Sequence, residues 1–364
     1  MALRRVTRKG SLIVYILSML MVMSALIVLI VEKAQKDLID KASAVDTTSL
    51  RIAGYSALNA TMAIIEEYRE IDGGIYSTLQ GWDEPFSEMR VSFPDGINVE
   101  VKVEDETGKY PLVAADADVL AAIFENMGLS SLESLKLADC LIDWMDTNDS
   151  AEIYGAEEGD YTETYSPKPP NRSLRDFSEL RFVKNFDEYF FDEDGIENDY
   201  YNTFISLVSL EEFSTVNINE APYLLLASLY DVAGYDFTDS TYSAIKGESG
   251  VSSTENAWLE SLTDLQNRNA EAPSNYFVTE SAMLKISITV TRGLAKFHLS
   301  AFYGEEPEDS TATVSSTRNG TTSTSSAGSS GSSYSTQTSD RNQNSNSAFG
   351  AGILRLSEFI STPY

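Results

Sequence analysis

Apolar and polar residues fall into four regimes along this chain. The first is unbroken. From Ser11 to Val31 no residue is charged, and only small or weakly polar residues interrupt the apolar run. As a helix this stretch spans about 31 Å, enough for a bilayer core. The second regime is helical. In SLRIAGYSALNATMAIIEEYREI, Ile52, Tyr55, Leu58, Met62 and Ile65 recur at steps of three and four, the mark of one buried stripe. Asp72-Gly73-Gly74 ends it. One helix is therefore expected from about Ser11 to Ile71, its first half in lipid and its second packed on a domain. A slip at Asp46 to Thr48 is a place for a bend.

The third regime is alternation. Ile97, Val99, Val101 and Val103 alternate with polar residues, as do Leu284, Ile286, Ile288 and Val290. The sequence TRG then turns the chain, and Ala295, Phe297, Leu299 and Ala301 alternate again, which predicts a hairpin. The lone strand near residue 97 needs partners, and this distant hairpin supplies them. Between the two, residues 108–280 carry mainly helical patterns, such as DADVLAAIFENMGL and LESLKLADCLIDWM. The fold class that follows is α+β: a long N-terminal helix and a small antiparallel sheet, with a large, mainly α-helical insertion. The fourth regime starts at Glu305. Residues 305–348 are rich in Ser, Thr and Gly with hardly any apolar side chain, so disorder is expected. Residues 349–364 close the chain with a short apolar patch, read either as a frayed terminal helix or as a docking peptide on a tether.

Charge sets the orientation of the anchor. Arg4, Arg5, Arg8 and Lys9 precede the apolar run, so the N-terminus is expected to stay in the cytoplasm and the remainder to lie outside the inner membrane. An ordinary secretory signal is excluded by the length of the run and by the lack of a small-x-small site in VEKAQKD. Two readings remain. One is a plain signal anchor. The other is a short basic leader, residues 1–10, cut between Gly10 and Ser11; MALRRVTRKG followed by SLIVYILSML resembles a prepilin-type leader of this kind. On that reading residues 11–31 are the transmembrane helix and 32–107 a pilin-like helix with the first strands. Residues 281–304 are the returning hairpin. Pilin-like subunits usually carry Glu at the fifth position after cleavage, and here that position is Tyr15. A carboxylate in lipid is costly unless a neighbour's amine meets it. A subunit at a filament tip has no neighbour above it, so losing the acid suits a tip position.

Composition narrows the chemistry. Lys and Arg total 26 against 56 Asp and Glu, for a net charge of −30, which argues against a nucleic-acid partner. The single cysteine, Cys140, shares a helical face with Leu137, Leu141 and Trp144 and reads as a small buried thiol. His298, the one histidine, lies opposite the apolar set of its strand and is expected to be exposed. No phosphate loop, catalytic triad or zinc helix is present in the sequence, and no enzyme activity is expected. TVNINEAPYLLLASL is similar to the opening of a helix-hairpin-helix unit. The Gly-rich hairpin that would face a phosphate is missing, so this segment reads as a packing module.

The segment DWMDTNDSAEIYGAEEGDY concentrates acid. Asp146, Asn148, Ser150, Glu152 and Glu157 fall on positions 1, 3, 5, 7 and 12 of a calcium loop, but position 6 is Ala151 where the turn needs glycine. A standard EF-hand is therefore not expected. The candidate ligands are Asp143, Asp146, Asn148, Asp149, Glu157, Glu158 and Asp160. Such charges repel unless solvent spreads them or a cation gathers them, and all-oxygen ligands suit calcium better than zinc. FDEDGIEND, from Phe191, is a second and weaker acidic cluster.

Several stretches, in order, resemble the minor pseudopilin K family of type II secretion systems. They are DETGKYPLVAA, LADCLIDWMDTNDSAEIYGAEEGDY, FSELRFVKNF and TVNINEAP. Together with the leader and anchor, the similarity covers about residues 1–303. Two departures stand out: the Asn usual after Pro-Leu is absent from YPLVAA, and Glu220 replaces a Thr in NINEAP. The resemblance implies a pilin-like scaffold carrying a large helical domain and a tip complex with minor pseudopilins I and J. It also implies processing by prepilin peptidase, an inner-membrane anchor with a periplasmic C-terminal domain, and calcium in the helical domain. The alternative is an uncleaved, signal-anchored calcium-binding interaction or adhesion protein on the outer side of the inner membrane.

Overall fold

The computed structural model describes residues 10–86, 93–113, 115–161, 167–251, 256–293, 295–305 and 351–361. Nearly all of the expected leader and of the Ser/Thr tail lies outside them. The chain divides into two compact units: residues 1–109, 216–301 and 355–364 form the first, and residues 110–215 and 302–354 the second.

The first unit starts with α1, Gly10–Asp72, a single helix. It ends where the sequence predicts, at Gly73 in the left-handed conformation with φ +79. The buried stripe of its second half is not the one that hydrophobicity alone predicts. Leu50, Ala53, Ala57, Leu58, Thr61, Ile64 and Ile65 are buried, whereas Ile52 is 63% exposed. The reason is small-residue packing. A Cβ added to Gly54 would lie 2.4 Å from the Phe297 ring, so Ala53, Gly54 and Ala57 bring the helix backbone close to the sheet, and Ile52 is turned away. Gly54→Leu is expected to cost about 1–3 kcal/mol by overpacking, read as a lowered denaturant midpoint of the full chain in detergent.

That sheet has four strands: β1 is Asn98–Asp105, and three later strands follow it in the order β1-β6-β7-β8. Before they appear, the chain forms β2, Tyr110–Pro111, and the helices α2, Ala117–Asn126, α3, Ser131–Met145, α4, Phe186–Phe190, and α5, Asp199–Leu207. Next come β3, Val208–Ser209, β4, Val216–Asn217, α6, Tyr223–Val232, α7, Asp239–Ile245, α8, Leu262–Asn267, and β5, Phe277–Val278. The sheet resumes with β6, Met283–Arg292, β7, Ala295–Glu305, and β8, Ala351–Ser361. β1 and β6 are antiparallel with Val99 opposite Val290, Val101 opposite Ile288 and Val103 opposite Ile286. The alternating residues of β1 thus find the distant partner their pattern requires. Ile286, Ile288, Val290, Phe297, Leu299 and Ala301 are buried. His298 is exposed, with Nδ1 3.2 Å from Thr289 Oγ1.

The closing apolar patch is a strand rather than a frayed helix. A sheet ladder supplies what local pattern does not show: edge pairing fixes a segment whose own sequence is ambiguous.

Residues 108–280, read from sequence as one helical stretch, fall into both units, because 216–280 is tied to the pilin-like scaffold by buried polar groups. Asn217 Nδ2 donates to the Tyr76 carbonyl at 2.9 Å and to Asp105 Oδ2 at 2.6 Å. Asn219 Nδ2 donates to the carbonyls of Leu259 and Thr279, both at 2.9 Å. Glu220, the departure noted in NINEAP, accepts from Ser77 Oγ at 2.7 Å and from the Thr78 N–H at 2.8 Å. It ties 77–78 to 217–221.

In the second unit β2 and β3 pair in parallel, Tyr110 opposite Val208. α2 to α5 enclose an aromatic core in which Phe124, Phe186, Phe190 and Phe204 are all fully buried. Phe124 stacks on Phe204 with centroids 5.1 Å apart and meets Phe190 edge-on at 6.0 Å. Cys140 is buried beside Leu137, Leu141 and Trp144 as expected, and burial pushes its thiol up to about 11, an inert state.

Candidate functional site

Two regions carry the residues singled out from sequence. The first is the start of α1. Val14–Lys36 is long and apolar enough to cross a membrane, with mean hydropathy 2.8 and none of its residues buried. One N-terminal apolar helix of this kind fits a single-pass anchor. Gly10 and Ser11 lie in its first turn, which contains no acidic residue. Tyr15 is 72% exposed on the apolar surface, and its carbonyl accepts from Ser18 Oγ at 2.8 Å.

The second region follows α3. Its last turn places Asp143, which is fully buried and accepts the Glu152 N–H at 3.1 and 3.2 Å. Burial raises its pKa, the N–H groups of Glu152 and Ala156 oppose the rise, and the charges of Asp146 and Glu152 add to it. Gly155 closes over this carboxylate, for a Cβ there would lie 1.8 Å from Asp143 Oδ2. One turn earlier Asp139 accepts the Tyr154 N–H at 3.0 Å. The loop is thus folded back onto α3 by two buried carboxylates receiving backbone donors.

The remaining candidates divide by what they touch. Asp146 ends α3 and accepts from the Asn148 N–H at 3.1 Å and Asn148 Nδ2 at 2.6 Å. Asn148 Oδ1 takes the Ser150 N–H at 2.8 Å. These local turns occupy Asn148, and Glu152 contributes its backbone to Asp143, so the EF-hand spacing is not used as one. Asp149 faces Asn171 Nδ2 at 3.3 Å. Asp160 accepts the Glu157 N–H at 3.2 Å and lies 3.9 Å from Lys184 Nζ. Asp149, Glu157, Glu158, Gly159 and Lys168 line one open cleft of about 430 Å³, where Lys168 pairs with Glu158.

Glu157 is the unusual member of this set. Its Oε1 is buried and has no hydrogen-bond partner among the described residues. Burial raises its pKa, and the charges of Asp143, Asp146 and Asp149 raise it further. Among the described residues no group of three or more acidic, His or Cys side chains is arranged to hold a metal ion. Sequence reasoning missed Lys168, Asn171 and Gly155. The first two lie beyond the acidic run, and the need for Gly155 follows only from the burial of Asp143.

Comparison with known proteins bears on the same helices. Residues 98–204, from β1 through most of α5, match the family model of type II secretion system protein K. Among curated proteins no sequence matches the chain. Among solved structures it is similar to a chain of the GspK-GspI-GspJ complex of enterotoxigenic Escherichia coli, with 14% identity and a TM-score of 0.56. That likeness covers 73% of this chain and 94% of the other. The likeness shows the fold: a pilin-like scaffold with a helical addition, in line with the split sheet.

Proposed function

We propose that this chain is a minor pseudopilin at the tip of a type II secretion pseudopilus, where it initiates or caps filament assembly in support of protein export. The observation that carries this reading is the match of residues 98–204 to protein K, on a chain whose anchor places Tyr15 where a repeating subunit needs an acid. The solved complex contains GspI and GspJ alongside GspK; minor pseudopilins I and J are accordingly the proposed partners here. The anchor sits in the inner membrane, the rest lies in the periplasm, and prepilin peptidase cuts before Ser11.

Pull-down of the full chain in detergent with I and J is the decisive measurement: retention of both supports the reading, and loss of both removes it. Sequencing the mature N-terminus is expected to begin at Ser11. Met1 on most molecules would instead leave an uncleaved anchor. Tyr15→Glu is expected to give no gain in assembly, and increased incorporation along the filament shaft would count against a tip position.

Calcium is proposed at the acidic loop, with Asp149, Glu157 and Glu158 as ligands and Asp143 and Asp146 adding negative potential. Bound there, the ion would neutralise mutually repelling carboxylates and clamp the loop. Calcium at 100 times its Kd is expected to stabilise the chain by about 2.7 kcal/mol, and Glu157→Gln to remove most of the shift in melting temperature. No shift at saturating calcium would leave these residues as solvated charge.

A further inference from the structure

β8 is the fourth strand of the sheet, yet it is joined to β7 by residues 306–350. Neighbouring strands of a hairpin need only about 2–5 residues between them. β8 is therefore positioned by what it touches rather than by its connection. Two contacts fix it. It hydrogen-bonds along the β7 edge, and it places Glu358 against α1. There Arg51 pairs with the Glu358 carboxylate, its Nε 3.3 Å from Oε2, and Tyr55 OH donates to Oε2, also at 3.3 Å. Alternation puts Leu354, Leu356 and Glu358 on one side of the strand and Ile353, Arg355, Ser357 and Phe359 on the other. Ile353, Leu356 and Phe359 remain 40–68% exposed, so backbone pairing and polar side chains hold the strand more than a core does.

We infer that the β7 edge, together with Arg51 and Tyr55, is a strand-docking surface that β8 fills as an exchangeable plug. The partner it fits is an extended strand of another protein with alternating apolar residues and one carboxylate placed to reach Arg51. Charge complementarity at Arg51 selects that partner, and main-chain hydrogen bonds supply the affinity. β8 belongs to the same chain as the edge it fills, so in the uncut chain a competing strand must displace an intramolecular contact. This inference stands on the sheet and α1 alone and does not depend on the tip reading.

The test uses the full chain in detergent with a protease site placed within residues 306–350. The probe is a fluorescent peptide with the sequence of residues 349–362, followed by anisotropy. Before cleavage the peptide is expected to be excluded; after cleavage and removal of the freed segment it is expected to bind at least about tenfold more tightly. Arg51→Glu in the chain, or Glu358→Lys in the peptide, is expected to weaken binding about two- to fivefold, and the two changes together to restore part of it. The inference is overturned if the cut segment stays on the chain against excess peptide, if the peptide binds cut and uncut chains alike, or if neither charge change alters binding.

Discussion

Replacing Phe124 with alanine is expected to lower the stability of the second unit by about 3–5 kcal/mol, the usual cost of deleting a fully buried phenylalanine. Phe124 is the ring that Phe186, Phe190 and Phe204 share: its centroid lies 5.1–6.0 Å from each of theirs. The cavity would open at the meeting point of α2, α4 and α5. Hydrogen exchange followed residue by residue should show faster exchange across 117–207. The strands β1 and β6, whose core is built from other residues, should keep their protection. Unchanged exchange in α2, α4 and α5 would contradict the assignment of this aromatic cluster as the unit's core.

Asp105 is expected to control stability in the first unit, in two separable ways. Its carboxylate is the sole acceptor shown for the Thr107 N–H at 2.8 Å, and it also receives Thr107 Oγ1 at 2.5 Å, Ser281 Oγ at 2.7 Å and Asn217 Nδ2 at 2.6 Å. Asp105→Ala strands these donors in the interior at about 1–3 kcal/mol for each that finds no substitute, so a loss of at least 3 kcal/mol is expected. The second effect is on pH. Burial pushes the Asp105 pKa up to about 6, hydrogen bonds from Thr107, Ser281 and Asn217 oppose the rise, and the charge of Glu220 adds to it. A raised carboxyl pKa means that the folded state holds the proton more tightly. This contribution is therefore complete below about pH 4 and is lost as pH rises through about 6. It amounts to about 3 kcal/mol. Denaturation of the full chain in detergent, compared with Asp105→Asn between pH 4 and 7, isolates it: the stability of the unsubstituted chain relative to Asp105→Asn should fall steadily with rising pH. A parallel pair of curves would show that Asp105 does not titrate in that range.

Legibility from sequence followed the range of the interaction. α1, β1, β6 and β7 were all evident, because the apolar run and the period-two alternation are properties of consecutive residues. The pairing of β1 with the distant hairpin could also be inferred, since a single half-buried strand requires a partner. What sequence did not reveal depends on contact. Ile52 belongs to the hydrophobic stripe by count, yet Gly54 and the Phe297 ring decide which face of α1 meets the sheet. β8 has no pattern that separates strand from helix until the β7 edge is beside it. In the acidic loop the sequence puts the candidate carboxylates side by side, and only contact separates their fates. Asp143 became a buried acceptor because Gly155 admits the chain over it. Glu157 kept a free oxygen, and Glu158 took Lys168. Glu220 read as a departure from the family pattern, while in the fold it binds 77–78 to 217–221.

The interrupted first unit bears on the order in which the chain can mature as it is made. β1 emerges early, but its neighbour β6 is encoded only after the whole of α2 to α5. At a ribosomal speed of about 5–20 residues per second, the delay between Val99 and Val290 is roughly 10–40 s. Throughout that interval β1 waits behind α1 without its sheet partner, while the contiguous helices from 117 to 207 are free to consolidate. Factors that shield nascent strands would thus matter most for the oldest part of this polypeptide, and least for its middle.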